Sequence, residues 1–101
     1  MKPENLKKLY QSIISAGKIE DWSSGREYIL DVHNDDGKIV IKLYDDYINT
    51  AYDITLEQLQ NAELQDNRVT TKVYIENTLN IVTLCISLYK MHPVRVEDLK
   101  D

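Results

Sequence analysis

The chain has 101 residues, of which 43% are hydrophobic and 29% charged, proportions that favour a single folded domain with one modest core and exclude a disordered chain. Its one cysteine excludes an internal disulfide, and it has no run of about 18 apolar residues that could span a membrane. Residues 1–17 lack the apolar segment of a secretory signal, so a cytosolic protein is expected.

The formal net charge of −5 is unevenly distributed along the chain. Residues 1–19 carry a net charge of +3, residues 20–66 one of −9 and residues 67–101 one of +1. Because contacts to phosphate groups supply most of the affinity for DNA and RNA, the acidic centre argues against direct nucleic-acid binding. It favours either a partner protein with a basic surface or simply a well-solvated surface.

Apolar residues at helical spacing predict an α-helix over residues 3–16. These residues are Leu6, Leu9, Tyr10, Ile13 and Ile14. Pro3 suits the first position of this helix, and Gly17 suits the position after its last residue. Residues 18–25 are predicted to form a connection, in which Trp22 covers an edge of the core rather than binding a ligand.

Alternating apolar residues then predict two β-strands, at residues 26–33 and 38–45. The sequence Asn-Asp-Asp-Gly at 34–37 predicts a four-residue hairpin loop between them. Such a loop sets His33 opposite Lys38 and brings three apolar pairs onto one face of the sheet. The pairs are Val32 with Ile39, Leu30 with Ile41, and Tyr28 with Leu43.

A third strand is predicted at about residues 47–54, after a turn at Asp45 and Asp46. Its alternation places Ile54 on one side of the sheet and Asp53 on the other. Together with the two strands before it, this segment makes a three-stranded antiparallel meander.

Two helices are predicted after the meander. Thr55 and Gln58 have the spacing of a capping box, which begins a short helix over 56–65. Over residues 73–91, polar residues recur every three or four positions among apolar ones, which predicts a long helix that exposes only a narrow stripe. The proline that follows ends this helix, and residues 93–101 form a tail that is a short strand, a helical turn or disordered. The long helix predicts burial of Leu79, Val82, Cys85 and Ile86.

No catalytic, metal or cofactor site is predicted. Cys85 lies in the apolar seam of the long helix, where a cysteine is usually an inert apolar residue, and His92 is about 10 Å further along the helix axis. The hairpin loop resembles a calcium-binding loop, but aligning Gly37 with the glycine of such a loop puts Val32 and Leu43 at ligand positions. We therefore predict an ordinary hairpin turn and a protein that is not an enzyme.

Tyrosines and aspartates gather around the predicted turn that precedes the third strand. Tyrosine supplies large and rigid contact area at interfaces, and a carboxylate accepts hydrogen bonds from an arginine or lysine of a partner. The alternative is that the tyrosines pack in the core and the aspartates only solubilise a turn. The sequence predicts a partner-binding surface made by Asp31, Asp35, Asp36, Tyr44, Asp45, Asp46, Tyr47 and Asp53.

The predicted fold is α+β: an N-terminal helix, a three-stranded antiparallel meander, and then a short and a long C-terminal helix packed on one sheet face. This order of elements, together with the small size and the acidic middle, resembles small phage-encoded inhibitor proteins, including some anti-CRISPR proteins. The resemblance implies a protein that presents carboxylates to a basic nucleic-acid-binding site on a host effector.

Two functions from other classes remain as alternatives. One is a homodimeric structural or assembly module that uses apolar surface on the long C-terminal helix. The other is an enzyme. The sequence argues against it, because no nucleophile, base and orienting group are predicted to lie together. Salt-sensitive capture of a basic partner favours the protein-binding module, whereas a dimer mass without any partner favours the assembly module.

Overall fold

The computed structural model describes residues 1–45, 50–88 and 94–100. Seven strands hold about half of this part of the chain, and three helices accompany them. In chain order the elements are α1 (Pro3–Ala16), β1 (Lys18–Glu20), β2 (Glu27–Asp35), β3 (Lys38–Asp45), β4 (Thr50–Thr55), α2 (Leu56–Gln60), β5 (Glu63–Gln65), β6 (Arg68–Ile75), β7 (Ile81–Ser87) and α3 (Val96–Leu99).

The seven strands belong to one antiparallel sheet, in which β1 to β4 are neighbours in sequence order. Strand β6 pairs with β7 along one edge, and with β4 and β5 at opposite ends of its other edge. The two ends of the sheet approach each other, because Asp21 bridges to Ile86 and the Trp22 N–H donates to the Cys85 carbonyl over 2.8 Å. The sheet is therefore curled, with an inner and an outer face.

The inner face of the sheet holds the hydrophobic core. Leu9 and Ile13 of α1 are completely buried against it, as are Leu59 of α2 and Leu99 of α3. The strand residues that are almost completely buried with them are Ile41, Leu43, Ile54, Val69, Val73 and Ile86. Burial of each such side chain stabilises the fold by roughly 1.5–3 kcal/mol, so the core determines which face of every strand remains for solvent.

Helix α1 spans Pro3–Ala16, and its prediction is confirmed. Gly17 has a φ angle of 70°, a left-handed conformation that glycine adopts at little cost, and its N–H donates to carbonyls of the last helical turn. The predicted connection after the helix is wrong at its start. Lys18–Glu20 form strand β1, in which Ile19 is buried.

The β2–β3 hairpin is confirmed, but its predicted register is wrong. Asp36 and Gly37 alone form the turn, with φ angles of 50° and 79°, and His33 lies opposite Val40 instead of Lys38. Asp-Gly suits a two-residue turn with positive φ at both positions, whose twist matches that of the flanking strands. Because the register differs by two residues, each side chain keeps its predicted side of the sheet.

The third strand of the predicted meander is present as β4, which spans Thr50–Thr55. Ile54 is buried and Asp53 lies on the opposite side of the strand, as predicted. Residues 46–49, which include the rest of the predicted turn and the start of the predicted strand, lie outside the described residues.

The predicted capping box is confirmed at the start of α2. The Gln58 N–H donates to Thr55 Oγ1, and the Thr55 N–H donates to Gln58 Oε1. The predicted length of 56–65 is wrong, because the helix ends at Gln60. Glu63–Gln65 instead pair with β6, so tertiary pairing ends a helix that the local sequence would continue.

The long helix predicted over residues 73–91 is wrong. The structure has two strands there, β6 and β7, which form an antiparallel hairpin, and Asn77 takes a φ angle of 63° in the turn between them. The two strands are rich in β-branched residues, which favour strands over helices: Val69, Thr70, Thr71, Val73, Ile75, Ile81, Val82, Thr83 and Ile86. Residues 89–91, the end of the predicted helix, lie outside the described residues.

The burial predicted for the long helix changes with this correction. Leu79 lies in the β6–β7 turn and is 91% exposed, and Val82 is 38% exposed, so both predictions of burial are wrong. Ile86 is completely buried and Cys85 is half-buried. The α+β class stands, but a seven-stranded antiparallel sheet with short helices replaces the predicted meander and its two C-terminal helices.

The tail adopts one of the three forms that the sequence left open. Val96–Leu99 form a single helical turn, α3, in which Val96 and Leu99 are buried. The side-chain amide of Asn5 in α1 donates to the Leu99 carbonyl over 3.1 Å. This contact joins the two ends of the described chain beneath the inner face of the sheet.

Candidate functional site

The outer face of the sheet brings together several of the residues predicted to bind a partner. Ladder partners on β2, β3, β4, β6 and β7 form one line of side chains, here called the cross-strand row: Asp31, Lys42, Asp53, Tyr74 and Ile81. Opposed side chains on neighbouring strands lie about 5 Å apart, so the row is a continuous strip. It runs from an acidic end at Asp31 to an apolar end at Ile81.

Lys42 is the centre of an ion-pair network on this face. Its Nζ lies 3.0 Å from Asp53 Oδ1 and 3.1 Å from Glu76 Oε1. Burial by itself would lower the pKa of Lys42, but the hydrogen bonds to Asp53 and Glu76 outweigh it and raise the pKa above its ordinary value. The lysine therefore stays charged and ties the segment after β6 to strands β3 and β4.

Carboxylates outnumber the lysine on this part of the outer face. Asp31, whose side chain is 63% exposed, and Asp35 stand on β2 beside the Lys42 network. Nε2 of His33 lies 3.2 Å from Asp31 Oδ2 without the geometry of a hydrogen bond. Since Lys42 already contacts Asp53 and Glu76, this region keeps an excess of negative charge towards solvent.

Two adjoining depressions mark the outer face. The first, of about 660 Å³, lies between the β2–β3 hairpin and the β6–β7 turn, and Asp35, Lys42 and Asp53 line it. The second, of about 1020 Å³, lies between α2 and strands β6 and β7. Both are lined by Thr55 and Tyr74, so they form one elongated groove, here called the outer groove.

Asp45 is not in the solvated turn that the sequence predicts. It lies on the inner side of β3 with 3% of its side chain exposed, and its Oδ2 is 3.4 Å from Arg26 Nη1. Tyr28 is nearby, and burial, followed by the charges of Asp21 and Asp45, raises the pKa of its hydroxyl. Because this carboxylate is buried and paired with an arginine, it is not accessible to a partner.

The other predicted binding residues are distributed over the hairpin and the outer face. Tyr44 is half-buried on the outer face, opposite Ile29 on β2, and Asp36 is exposed in the β2–β3 turn. Asp46 and Tyr47 lie outside the described residues. The structure thus brings Asp35 and Asp53 to one depression and places Asp31 opposite Lys42, while Asp36 and Tyr44 do not line the depression.

Sequence reasoning missed four residues of this face: Lys42, Tyr74, Glu76 and Ile81. Three of them fall within the segment that was predicted to be a helix, in which Tyr74 and Ile81 would share a face and Glu76 would point away from it. The alternation of β-branched residues over 68–75 and 81–87 was the signal that could have placed them on a sheet.

Trp22 marks a separate surface feature at the closure of the sheet. Its ring is 52% exposed, and the guanidinium carbon of Arg68 lies 4.1 Å from the ring centroid, a cation–π contact. The backbone of Trp22 is bonded to β7. Cys85, on the same strand, accepts a hydrogen bond from Thr70 Oγ1 with a 3.6 Å separation.

Within residues 1–45, 50–88 and 94–100, no group of three or more His, Cys, Asp or Glu side chains could hold a metal ion. No helix in this part of the chain is long and apolar enough to cross a membrane. In the comparisons with known proteins, no family model, no curated protein and no solved structure matches the chain.

Proposed function

We propose that this chain is a small acidic protein-binding module that acts as a stoichiometric inhibitor or adaptor by docking its outer face onto a basic surface of a partner protein. One observation carries the proposal. Four carboxylates on the outer face, those of Asp31, Asp35, Asp53 and Glu76, lie around Lys42, while Lys38 stands opposite Asp35, so among the described residues carboxylates outnumber lysines at this end of the sheet.

The strands make this acidic surface suitable for docking because they hold the carboxylates in fixed positions. A preformed site loses little conformational entropy on binding, and carboxylates on neighbouring strands can accept hydrogen bonds from arginine or lysine side chains of the partner. The same charges repel the phosphate groups of nucleic acids. The proposed activity is therefore binding to protein, without catalysis and without direct contact to DNA or RNA.

The proposal includes a cytosolic location, which the single cysteine favours, because reduced thiols are typical of that compartment. Blocking of a basic effector surface is also what the resemblance to phage-encoded inhibitors implies. That resemblance rested on an order of elements that differs from the observed one, so the acidic outer face is the stronger support.

The test is a charge reversal on the outer face. Asp31→Lys combined with Asp35→Lys should weaken binding at least about tenfold, since removal of one desolvated carboxylate that faces an arginine costs about 2–5 kcal/mol. The measurement starts with affinity capture from the native cell and mass spectrometry, followed by the dissociation constant for the purified partner at low and high salt. Raised salt should weaken wild-type binding in the same direction.

The matched control reverses two exposed carboxylates elsewhere, Glu4→Lys with Glu97→Lys, on helices that cover the inner face. It changes the net charge by the same amount, so equal weakening by both variants would show only a general charge effect and contradict the proposal. Asp45 is not used, because a lysine there would be buried beside Arg26 and would unfold the strand ends.

A second candidate function is the homodimeric assembly module. The long apolar helix on which it was based does not exist, but the β6–β7 hairpin exposes three large apolar side chains: Leu79, Ile81 and Val82. Sedimentation velocity decides between the two functions. A mass near 11.8 kDa over a wide concentration range favours the binding module, whereas a dimer that forms without any partner favours assembly.

A further inference from the structure

The outer groove exists because the sheet splits between β4 and β6. These strands pair only through Tyr52 and Asp53 of β4, since the capping box at Thr55 then turns the chain into α2. Strand β5 pairs with β6 only at residues 68–70, so residues 71–73 have no ladder partner on this edge among the described strands. The larger depression, of about 1020 Å³, lies over this split.

The two ends of the groove differ in chemistry. At the smaller depression the carboxylates of Asp35 and Asp53 face a lysine that Asp53 and Glu76 already bind. At the larger depression two lysines and two glutamates, Lys38, Lys72, Glu57 and Glu63, balance in charge. Tyr74 and Ile81 also line the larger depression and give this end of the groove an aromatic and apolar surface, and Ile81 is 49% exposed.

We infer that the outer groove binds an extended segment of the partner that carries a basic side chain at the Asp35–Asp53 end and an apolar side chain over Tyr74 and Ile81. The inference rests on the proposed function, and it narrows the partner surface from a basic patch to a basic and apolar strand-like segment. The carboxylates of Asp35 and Asp53 attract the basic side chain of the segment by charge. The exposed Ile81 and the neighbouring Tyr74 contact its apolar side chain.

The dimensions of the groove set the length of this segment. It crosses β2, β3, β4, β6 and β7, and four inter-strand spacings of about 4.8 Å give roughly 19 Å. An extended chain advances about 3.3 Å per residue, so about six residues fill the groove.

The probe is a blocked, fluorescein-labelled hexapeptide, Arg-Ser-Val-Ser-Val-Ser, here called the arginine–valine peptide, and its binding is measured by fluorescence anisotropy. Alternate side chains of an extended chain point to the same side, so the arginine and the valines can face the groove together. Two further peptides, with glutamate in place of arginine and with serine in place of valine, test the two ends separately. The arginine–valine peptide should bind at least about tenfold more tightly than either, a difference of about 1.4 kcal/mol.

Two protein variants provide a matched pair. Ile81→Lys places a charge in the groove, whereas Ile29→Lys places the same charge at an exposed strand isoleucine that lines neither depression. Ile81→Lys should weaken binding of the peptide at least about fivefold more than Ile29→Lys does, because only the first removes an apolar contact and repels the ligand at the site. Ile81→Ala, a milder change, serves if Ile81→Lys does not fold.

Three results would overturn the inference. The first is an equal effect of the two isoleucine variants on peptide binding, and the second is equal binding of the arginine–valine and arginine–serine peptides. The third is a dimer that Ile81→Lys dissociates, because the occupant of the groove would then be a second copy of the chain. The variant that combines Asp31→Lys with Asp35→Lys distinguishes a failure of the groove inference from a failure of the proposed function. If this variant still abolishes partner binding, the acidic face docks a partner by another geometry.

Discussion

The two main hairpins of the sheet, β2–β3 and β6–β7, share one architecture but expose different chemistry. The β2–β3 hairpin turns at Asp36 and Gly37 and presents aspartates towards solvent. The β6–β7 hairpin turns around Asn77 and presents apolar side chains, with Leu79 at its tip. Both hairpins are stabilised by side chains on the inner face, so their turns and outer faces can differ in sequence without loss of the fold.

The largest expected effect tests whether both hairpins depend on the same core. Ile41 of β3 and Ile86 of β7 are completely buried, so Ile41→Ala and Ile86→Ala should each lower the free energy of unfolding by about 2–5 kcal/mol. Leu79→Ala is the control, and it should change that free energy by less than about 0.5 kcal/mol because the side chain is exposed. Urea denaturation measures all three, and a large cost at Leu79 would contradict the hairpin assignment.

A smaller effect distinguishes the two turns. Gly37 has a φ angle of 79°, a conformation that costs a residue with a Cβ atom about 1–2 kcal/mol, so Gly37→Ala should destabilise the fold by about that amount. Nothing lies within 4 Å of the position of the added Cβ atom, so the cost comes from the backbone. Asn77→Gly, at a φ angle of 63°, should be neutral to within about 0.5 kcal/mol. Thermal unfolding compares the two variants, and equal costs would show that turn conformation does not separate the hairpins.

The smallest effect concerns Lys42 of the β2–β3 hairpin, which contacts Glu76 in the β6–β7 turn and Asp53 on β4. Because these partners raise its pKa on folding, its contribution is present at neutral pH and is lost as the pH rises through the raised pKa. Lys42→Met should cost about 0.5–1 kcal/mol at pH 7, and the difference from wild type should narrow in the alkaline range.

Tyr28 requires a control in this alkaline experiment, since burial raises the pKa of its hydroxyl as well. A Tyr28→Phe background removes that titration while it keeps the ring. The loss of stability that Lys42→Met causes in this background is then followed by urea denaturation at several pH values. A loss that does not depend on pH would mean that Lys42 contributes through packing of its aliphatic chain and not through its charge.

The candidate site was predictable only where its residues lie on locally recognisable strands. Asp31 and Asp53 follow from alternation in β2 and β4, and that pattern needs no information from distant residues. Asp35 was predicted in the hairpin loop, and the tighter two-residue turn places it on β2 instead. Tyr74, Glu76 and Ile81 were not predictable in the same way, because their segment fits a helix as well as a hairpin. Their position beside the aspartates depends on the pairing of β6 with β4.

Helix α1, the β2–β3 hairpin and the capping box at Thr55 could be predicted from the sequence alone, because each depends on residues that are close in the chain. The other elements depend on contacts between distant residues. Glu63–Gln65, predicted as the end of a helix, form β5 because they pair with β6. The segment predicted as the long helix forms β6 and β7 because these strands pair with each other. Non-local pairing supplies hydrogen bonds and buried apolar area that no local pattern reveals, and the same pairing places the acidic and apolar ends of the outer groove on one face.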